Sequence, residues 1–210
     1  MALRAVVFDY GMVLTGEPDP AAYAEMLRVT GLSKEQFEPR YWVDRSALDE
    51  GKMTGAAFWQ QFLRDAEMPA NQEMAEELNL WDVRYWTTEN PAMLAWQLAL
   101  KQHGLLTAIL SNMGDDVLAN VELEFEWIHR FDVRVWSCQL GVVKPDPAIY
   151  RYALDKLAVQ PQEALFIDDK LANIESARAV GMQAIEFSTI EQLRADLIAQ
   201  GLDAQLPLPA

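Results

Sequence analysis

The chain has 210 residues, 51% of them hydrophobic, and a formal net charge of −15. That length fits one domain, or one domain carrying a large insertion, with ample apolar material for a packed core. The acidic field repels phosphate backbones, which argues against nucleic acid as a partner, and any anionic ligand then needs a local cation or metal.

Ala5–Phe8 is a continuous apolar, β-branched run and reads as a strand covered on both faces. From residue 16 to 89 no buried strand is evident. Helical segments take its place at Pro20–Thr30, Lys34–Leu48, Thr54–Glu67 and Asn71–Leu80, separated by Gly, Pro or polar breakers. Asn90 caps a helix that begins at Pro91 and ends at Gly104. A second apolar strand follows at Leu106–Leu110, then a helix from Asp115 to Phe125 with Asp115 and Asp116 as its caps. Val133–Trp136 is a third strand. Asp146 and Pro147 open a helix that runs to Leu157, and Ala164–Ile167 is a fourth strand. A helix at Ala172–Val180 stops at Gly181, and Gln183–Phe187 is a weaker fifth strand. The helix Ile190–Gln200 closes the chain before a Pro-rich tail, Leu206–Pro209, expected to fray. The fold class is therefore α/β: a parallel-sheet, Rossmann-like core (1–15 and 90–210) with an inserted all-helical cap (16–89).

Open parallel sheets bind ligands beyond the carboxyl ends of their strands. The first strand delivers Asp9, followed by Tyr10 and Gly11; the second delivers Ser111 and Asn112. Lys144 lies in the loop after the third, and Asp168 and Asp169 end the fourth. A carboxylate nucleophile, a hydroxyl, a lysine and an acidic pair on one edge fit phosphoryl transfer. The carboxylate can form an acyl phosphate. Its repulsion from phosphate calls for Mg²⁺, for which Asp9, Asp168, Asp169 and a carbonyl near Gly11 are suitable hard ligands. Lys144 would neutralise the phosphoryl oxygens, and Ser111 would donate to them.

The segments Val7–Leu14, Leu110–Asn112, Lys144–Tyr150 and Phe166–Asp169 resemble, in order, the four motifs of the haloacid dehalogenase superfamily. The likeness is to subfamily IA phosphatases and to the N-terminal domain of soluble epoxide hydrolases, and the helical insertion resembles the cap of many members. The resemblance implies Asp9 as nucleophile and Mg²⁺ ligand and the Gly11 carbonyl as a second ligand. It implies Ser111 and Asn112 as holders of the phosphoryl group and Lys144 as the residue that stabilises it. Asp169 would ligate metal directly, with Asp168 behind Lys144 or a metal-bound water. The implied activity is Mg²⁺-dependent hydrolysis of a small phosphorylated metabolite, sugar phosphates among the candidates.

The chain departs from that pattern at Gly11, where phosphatases of the superfamily usually carry a second aspartate for proton transfer. Tyr10 is an alternative donor. A 2-haloacid dehalogenase would also lack that aspartate, but the intact acidic pair and the want of an arginine shortly after Asp9 argue against it. A weakly active binding or regulatory relative is the third reading. Cys138, the only cysteine, lies in an apolar stretch and reads as a small packed residue. No apolar run approaches the ~20 residues of a membrane span. The expected setting is cytoplasmic, the expected metal Mg²⁺, and the expected partner a small metabolite. Trp42 and Trp59 are read as packing residues first and pocket residues second.

Overall fold

The computed structural model describes residues 2–208. Five parallel strands form one sheet in the order β3-β2-β1-β4-β5: β1 Ala5–Phe8, β2 Leu106–Ser111, β3 Val133–Trp136, β4 Ala164–Asp168 and β5 Gln183–Glu186. β1 lies at the centre, with Ala5 level with Leu106 on one side and with Ala164 on the other. Strand alternation then sorts the side chains onto two faces. Val6, Phe8, Ile109, Leu165 and Ile167 point to one apolar cluster, and Ala5, Val7, Ala108, Leu110 and Phe166 to the other. Both faces are covered, which is why these strands read as unbroken apolar runs.

The helices are α1 Pro20–Thr30, α2 Lys34–Val43, α3 Arg45–Asp49, α4 Gly55–Asp65, α5 Gln72–Tyr85, α6 Pro91–Gln102, α7 Asp115–Glu124, α8 Ser137–Leu140, α9 Pro147–Leu157, α10 Leu171–Val180 and α11 Ile190–Ala199. α6, α7 and α11 cover the first sheet face; α9 and α10 cover the second. Their starts are set by side-chain caps. Asp19, Thr54, Asn71, Asn90, Asp146 and Thr189 each accept a hydrogen bond from an N–H in the first turn.

α1 to α5 gather around their own apolar cluster of Met26, Phe37, Tyr41, Leu48, Phe58, Trp59, Phe62, Leu63, Ala75 and Leu78. The strands leading into and out of these helices touch. Thr15 bridges Glu89, Gly16 N–H donates to Thr88 O, and Asn90 N–H donates to Leu14 O. The helical segment therefore leaves and rejoins the sheet at one neck.

Several expectations are revised. The helix expected at Lys34–Leu48 is two helices, broken at Asp44, whose ψ of 8° leaves the helical range. α5 runs five residues beyond Leu80 to Tyr85. Asp115 and Asp116 do not serve as the N-cap of α7; that position is Gly114. Asp115 Oδ1 instead accepts from Gly55 N–H, and Asp116 Oδ2 from Asn79 Nδ2, so both reach the inserted helices. The tail is anchored rather than frayed. Leu206 is fully buried, Leu208 packs on the same cluster, and Gln205 Nε2 donates to Leu3 O. The last expected tail residue, Pro209, lies outside the described residues. Among those residues no helix is long and apolar enough to cross a membrane.

Candidate active site

The chain turns sharply after β1. Asp9 N–H donates to Ile167 O at 2.8 Å, continuing the sheet, and Asp9 Oδ1 accepts Tyr10 N–H at 2.6 Å. Thr15 closes the turn by accepting Met12 N–H and donating to Tyr10 O. Met12 sits at φ 60°, a left-handed conformation that costs a non-glycine residue on the order of 1 kcal/mol and is held here by this bonding. Such strain beside a carboxylate points to a constrained site.

Lys144 is the buried hub. Its ammonium lies 2.8 Å from Asp9 Oδ1 and 2.7 Å from Asp168 Oδ2. Burial alone would lower its pKa, but Asp9 and Asp168 outweigh burial and raise it, so the lysine stays charged. Asn112 fixes the lysine's main chain: its Oδ1 accepts Lys144 N–H at 2.8 Å and its Nδ2 donates to Lys144 O at 3.0 Å. Asn112, which the family resemblance assigns to the phosphoryl group, thus uses its side chain to hold Lys144 and lines the same cavity. Ser111 differs. Its hydroxyl makes one long contact, 3.3 Å to Asn112 O, and it lines the cavity.

The acidic pair divides by environment. Both oxygens of Asp168 are satisfied, by Lys144, Asn173 Nδ2 and Lys170 N–H. Burial opposes its ionisation, but Lys144 and these donors lower its pKa. Asp169 is half-buried, and burial, then the Asp168 charge, raise its pKa. Asp9 is pushed up to about 7, first by burial and then by the other two carboxylates, against the pull of Lys144. Asp9, Asp168 and Asp169 each offer one oxygen, all within 4.8 Å of one another. Three converging hard oxygens, two of them on carboxyl groups (Asp9 and Asp169) that resist ionisation without a cation, fit a small divalent metal such as Mg²⁺. Gly11 is at φ −65°, ψ 135°, and lines the same cavity.

The cavity, about 230 Å³, is closed on the other side by Trp42, Arg45, Asp49 and Trp86. Of these, the sequence singles out only Trp42, as a packing residue first and a pocket residue second; it is half-exposed and lines the cavity, whereas Trp59 is wholly inside the helical cluster. Arg45, far from Asp9 in sequence, brings a guanidinium to the cavity wall. It bonds Asp82 Oδ2 at 2.9 Å and the Tyr41 hydroxyl at 2.6 Å and lies against the Trp86 ring. Tyr10, the alternative proton donor, has its hydroxyl engaged with Trp86 O, and burial raises its pKa. Cys138 is half-buried, and burial pushes its thiol up to about 11, so it is not a ready nucleophile.

Comparison with known proteins agrees with this geometry. The family model "haloacid dehalogenase-like hydrolase" matches residues 3–181. Bifunctional epoxide hydrolase 2 of Mus musculus is 35% identical over all of this chain, which spans 41% of that protein's length. Phosphatase MT3486 of Mycobacterium tuberculosis (strain CDC 1551 / Oshkosh) is 29% identical, covering 88% of this chain and 87% of its own. The structure of the haloacid dehalogenase family enzyme BT-2542 of Bacteroides thetaiotaomicron, in complex with magnesium and inorganic phosphate, has a TM-score of 0.76 at 19% identity, over 91% of this chain and 99% of that one. With the motifs in order, the sheet built as they require and a family model spanning most of its length, this chain belongs to the haloacid dehalogenase-like hydrolases.

Proposed function

We propose that this hydrolase cleaves small phosphate monoesters, sugar phosphates among them, through an aspartyl phosphate on Asp9. The observation that carries the reading is the placement of Asp9 in the cavity, an oxygen 2.8 Å from the Lys144 ammonium and within 4.8 Å of oxygens of Asp168 and Asp169. Similarity to a phosphatase over most of both chains supports it.

In this reading the Asp9 carboxylate attacks phosphorus and displaces the alcohol, and water then cleaves the acyl phosphate. Lys144 and Ser111 stabilise the phosphoryl oxygens, and Asn112 keeps Lys144 in position. Asp9, Asp169 and the Gly11 carbonyl would hold Mg²⁺, with Asp168 tying Lys144 to the centre. Bound there, Mg²⁺ would screen the repulsion between carboxylate and phosphate. Residues 16–89 serve as a cap, with Trp42, Arg45 and Trp86 selecting what the phosphoryl group carries, and hinge at Leu14–Pro18 and Thr88–Asn90. A dehalogenase needs no such acidic metal cluster, which makes that reading the weaker one.

The test is turnover of an aryl phosphate and a sugar-phosphate panel, with Mg²⁺ or EDTA, by wild type and Asp9→Asn. Activity that requires both Mg²⁺ and Asp9 is expected. Activity that survives Asp9→Asn, or its absence on every ester, would count against the phosphatase reading.

A further inference from the structure

Hydrolysis of an alkyl phosphate needs a proton for the departing oxygen and a base for the incoming water. Glycine at position 11 can supply neither. Tyr10 is tied to Trp86 O. The remaining titratable groups facing the cavity outside the acidic cluster and Lys144 are Arg45, Lys170 and Asp49. Arg45 cannot give up its proton: burial works against its charge, but Asp82 outweighs it and holds the guanidinium ionised.

Asp49 is placed differently. It is the last residue of α3, and its side chain is only 15% exposed. Its main-chain carbonyl accepts the Ser137 hydroxyl, and the same Ser137 Oγ accepts Met113 N–H at 2.9 Å. Two hydrogen bonds therefore tie Asp49 to the carboxyl ends of β3 and β2, beside Ser111 and Asn112. Its Oδ1 is buried and accepts no well-aligned hydrogen bond; its one charged partner there is Arg45 Nε, an ion pair at 3.5 Å. A buried carboxylate oxygen without a donor is costly unless the group is protonated or a ligand completes it. Resting on the phosphatase reading above, we propose that Asp49, reaching in from the inserted helices, is the general acid and base of the reaction in place of the residue missing at position 11. Burial, partly offset by Arg45, raises its pKa, which suits a group that must carry a proton.

The steps balance as follows. A carboxylate oxygen of Asp9 forms a bond to phosphorus as the ester P–O bond breaks. The departing oxygen takes the Asp49 proton and leaves as a neutral alcohol, with Asp49 now a carboxylate. Water then attacks phosphorus and gives a proton to Asp49. The Asp9–phosphorus bond breaks, which restores the Asp9 carboxylate and protonated Asp49 and releases phosphate.

The experiment compares wild type, Asp49→Asn and Asp49→Glu on p-nitrophenyl phosphate and on an alkyl phosphate such as glycerol phosphate. Nitrophenolate leaves without a proton, so Asp49→Asn should release the first equivalent within about tenfold of the wild-type rate. It should then stall as a phosphoprotein for want of the base. Alkyl-ester turnover should fall about 10²–10⁴-fold and return in part with Asp49→Glu. Equal losses on both esters without a burst, or no loss on either, overturn the proposal. Should Asp49→Asn not fold, the wild type decides alone: its rate should depend weakly on leaving-group pKa across a series of esters, and a steep dependence overturns the assignment. Failure of the phosphatase reading looks different, since wild type is then inactive on every ester or indifferent to Asp9→Asn.

Discussion

The Lys144 ammonium lies 2.7 Å from Asp168 Oδ2, and neither group reaches solvent. The lysine neutralises the centre while Asn112 and Asn173 hold the two partners in place. Removing one partner of a buried pair leaves the other uncompensated, at a cost of about 3–5 kcal/mol. Lys144→Met should therefore lose activity and also melt earlier. Because it leaves three crowded carboxylates, Mg²⁺ should raise its melting temperature more than that of wild type. A Lys144→Met protein as stable as wild type in EDTA would contradict this account of the hub.

Asp169 carries no such support, and burial with the Asp168 charge raises its pKa. Asp169→Asn relieves that repulsion, so the metal-free protein should be as stable as wild type or more so. It should lose most of the Mg²⁺ response. Wild type at a hundredfold excess of Mg²⁺ over its Kd gains about 2.7 kcal/mol by mass action. Thermal melts of both proteins across a Mg²⁺ series test this, and an unchanged response in Asp169→Asn would remove Asp169 from the ligand set.

Gly51 lies where the inserted helices pack on α8. It has φ +69°, and a Cβ there would sit 2.3 Å from Cys138 O. Gly31 has nearly the same φ, +65°, but nothing within 4 Å of its Cβ position. Gly31→Ala should cost only the left-handed strain, about 1–2 kcal/mol. Gly51→Ala should cost that and the clash, and should lower kcat/KM by shifting Asp49 two residues away. Urea unfolding and steady-state kinetics of the pair measure the difference. Equal stabilities would mean that this contact yields freely.

The sheet and the polar residues at its carboxyl edge were legible because parallel strands buried on both faces leave unbroken apolar runs, and the turn after each run carries a polar residue the core would reject. Asp9, Ser111, Lys144, Asp168 and Asp169 come together as that pattern implied. What was not legible came from the inserted helices. Which face of α3 meets the cavity depends on the break at Asp44 and on how Asp49 docks to Ser137, contacts between residues far apart in sequence. Trp86 was hidden for the same reason, since α5 outlasts the apparent end of its pattern at Leu80. The buried Leu206 shows the limit of composition: proline-rich ends read as loose unless one apolar side chain finds the core.

Asp132 clamps the start of β2, accepting Thr107 N–H at 2.8 Å and Lys101 Nζ at 2.8 Å. Partial burial would raise its pKa, but these donors outweigh it and lower it. A folded-state pKa below the unfolded one gives stability that is fully present above the ordinary carboxylate value of about 3.9 and is lost as pH falls through the lowered one. Asp132→Ala leaves the buried Thr107 N–H without this acceptor, a loss of about 1–2 kcal/mol at pH 7. The gap from wild type should narrow below about pH 3.9. Urea midpoints at pH 7 and pH 3 check it, and a gap that widens in acid would reverse the sign.

Gly11 has room for a side chain. Its φ of −65° suits any L-residue, and an added Cβ would meet only Trp86 Cζ3, at 3.8 Å. Gly11→Asp should therefore fold, with a modest loss of stability from a fourth carboxylate near Asp9. If proton transfer rests on Asp49, the new carboxyl offers a second route to the same oxygen. Adding Gly11→Asp to Asp49→Asn should recover about tenfold or more of the lost alkyl-ester turnover while changing release of nitrophenolate in the first turnover far less. A purely structural role for Asp49 predicts the opposite, since a carboxylate at position 11 cannot repair a contact on α3. Rapid-quench measurement of both steps in the double variant separates the two.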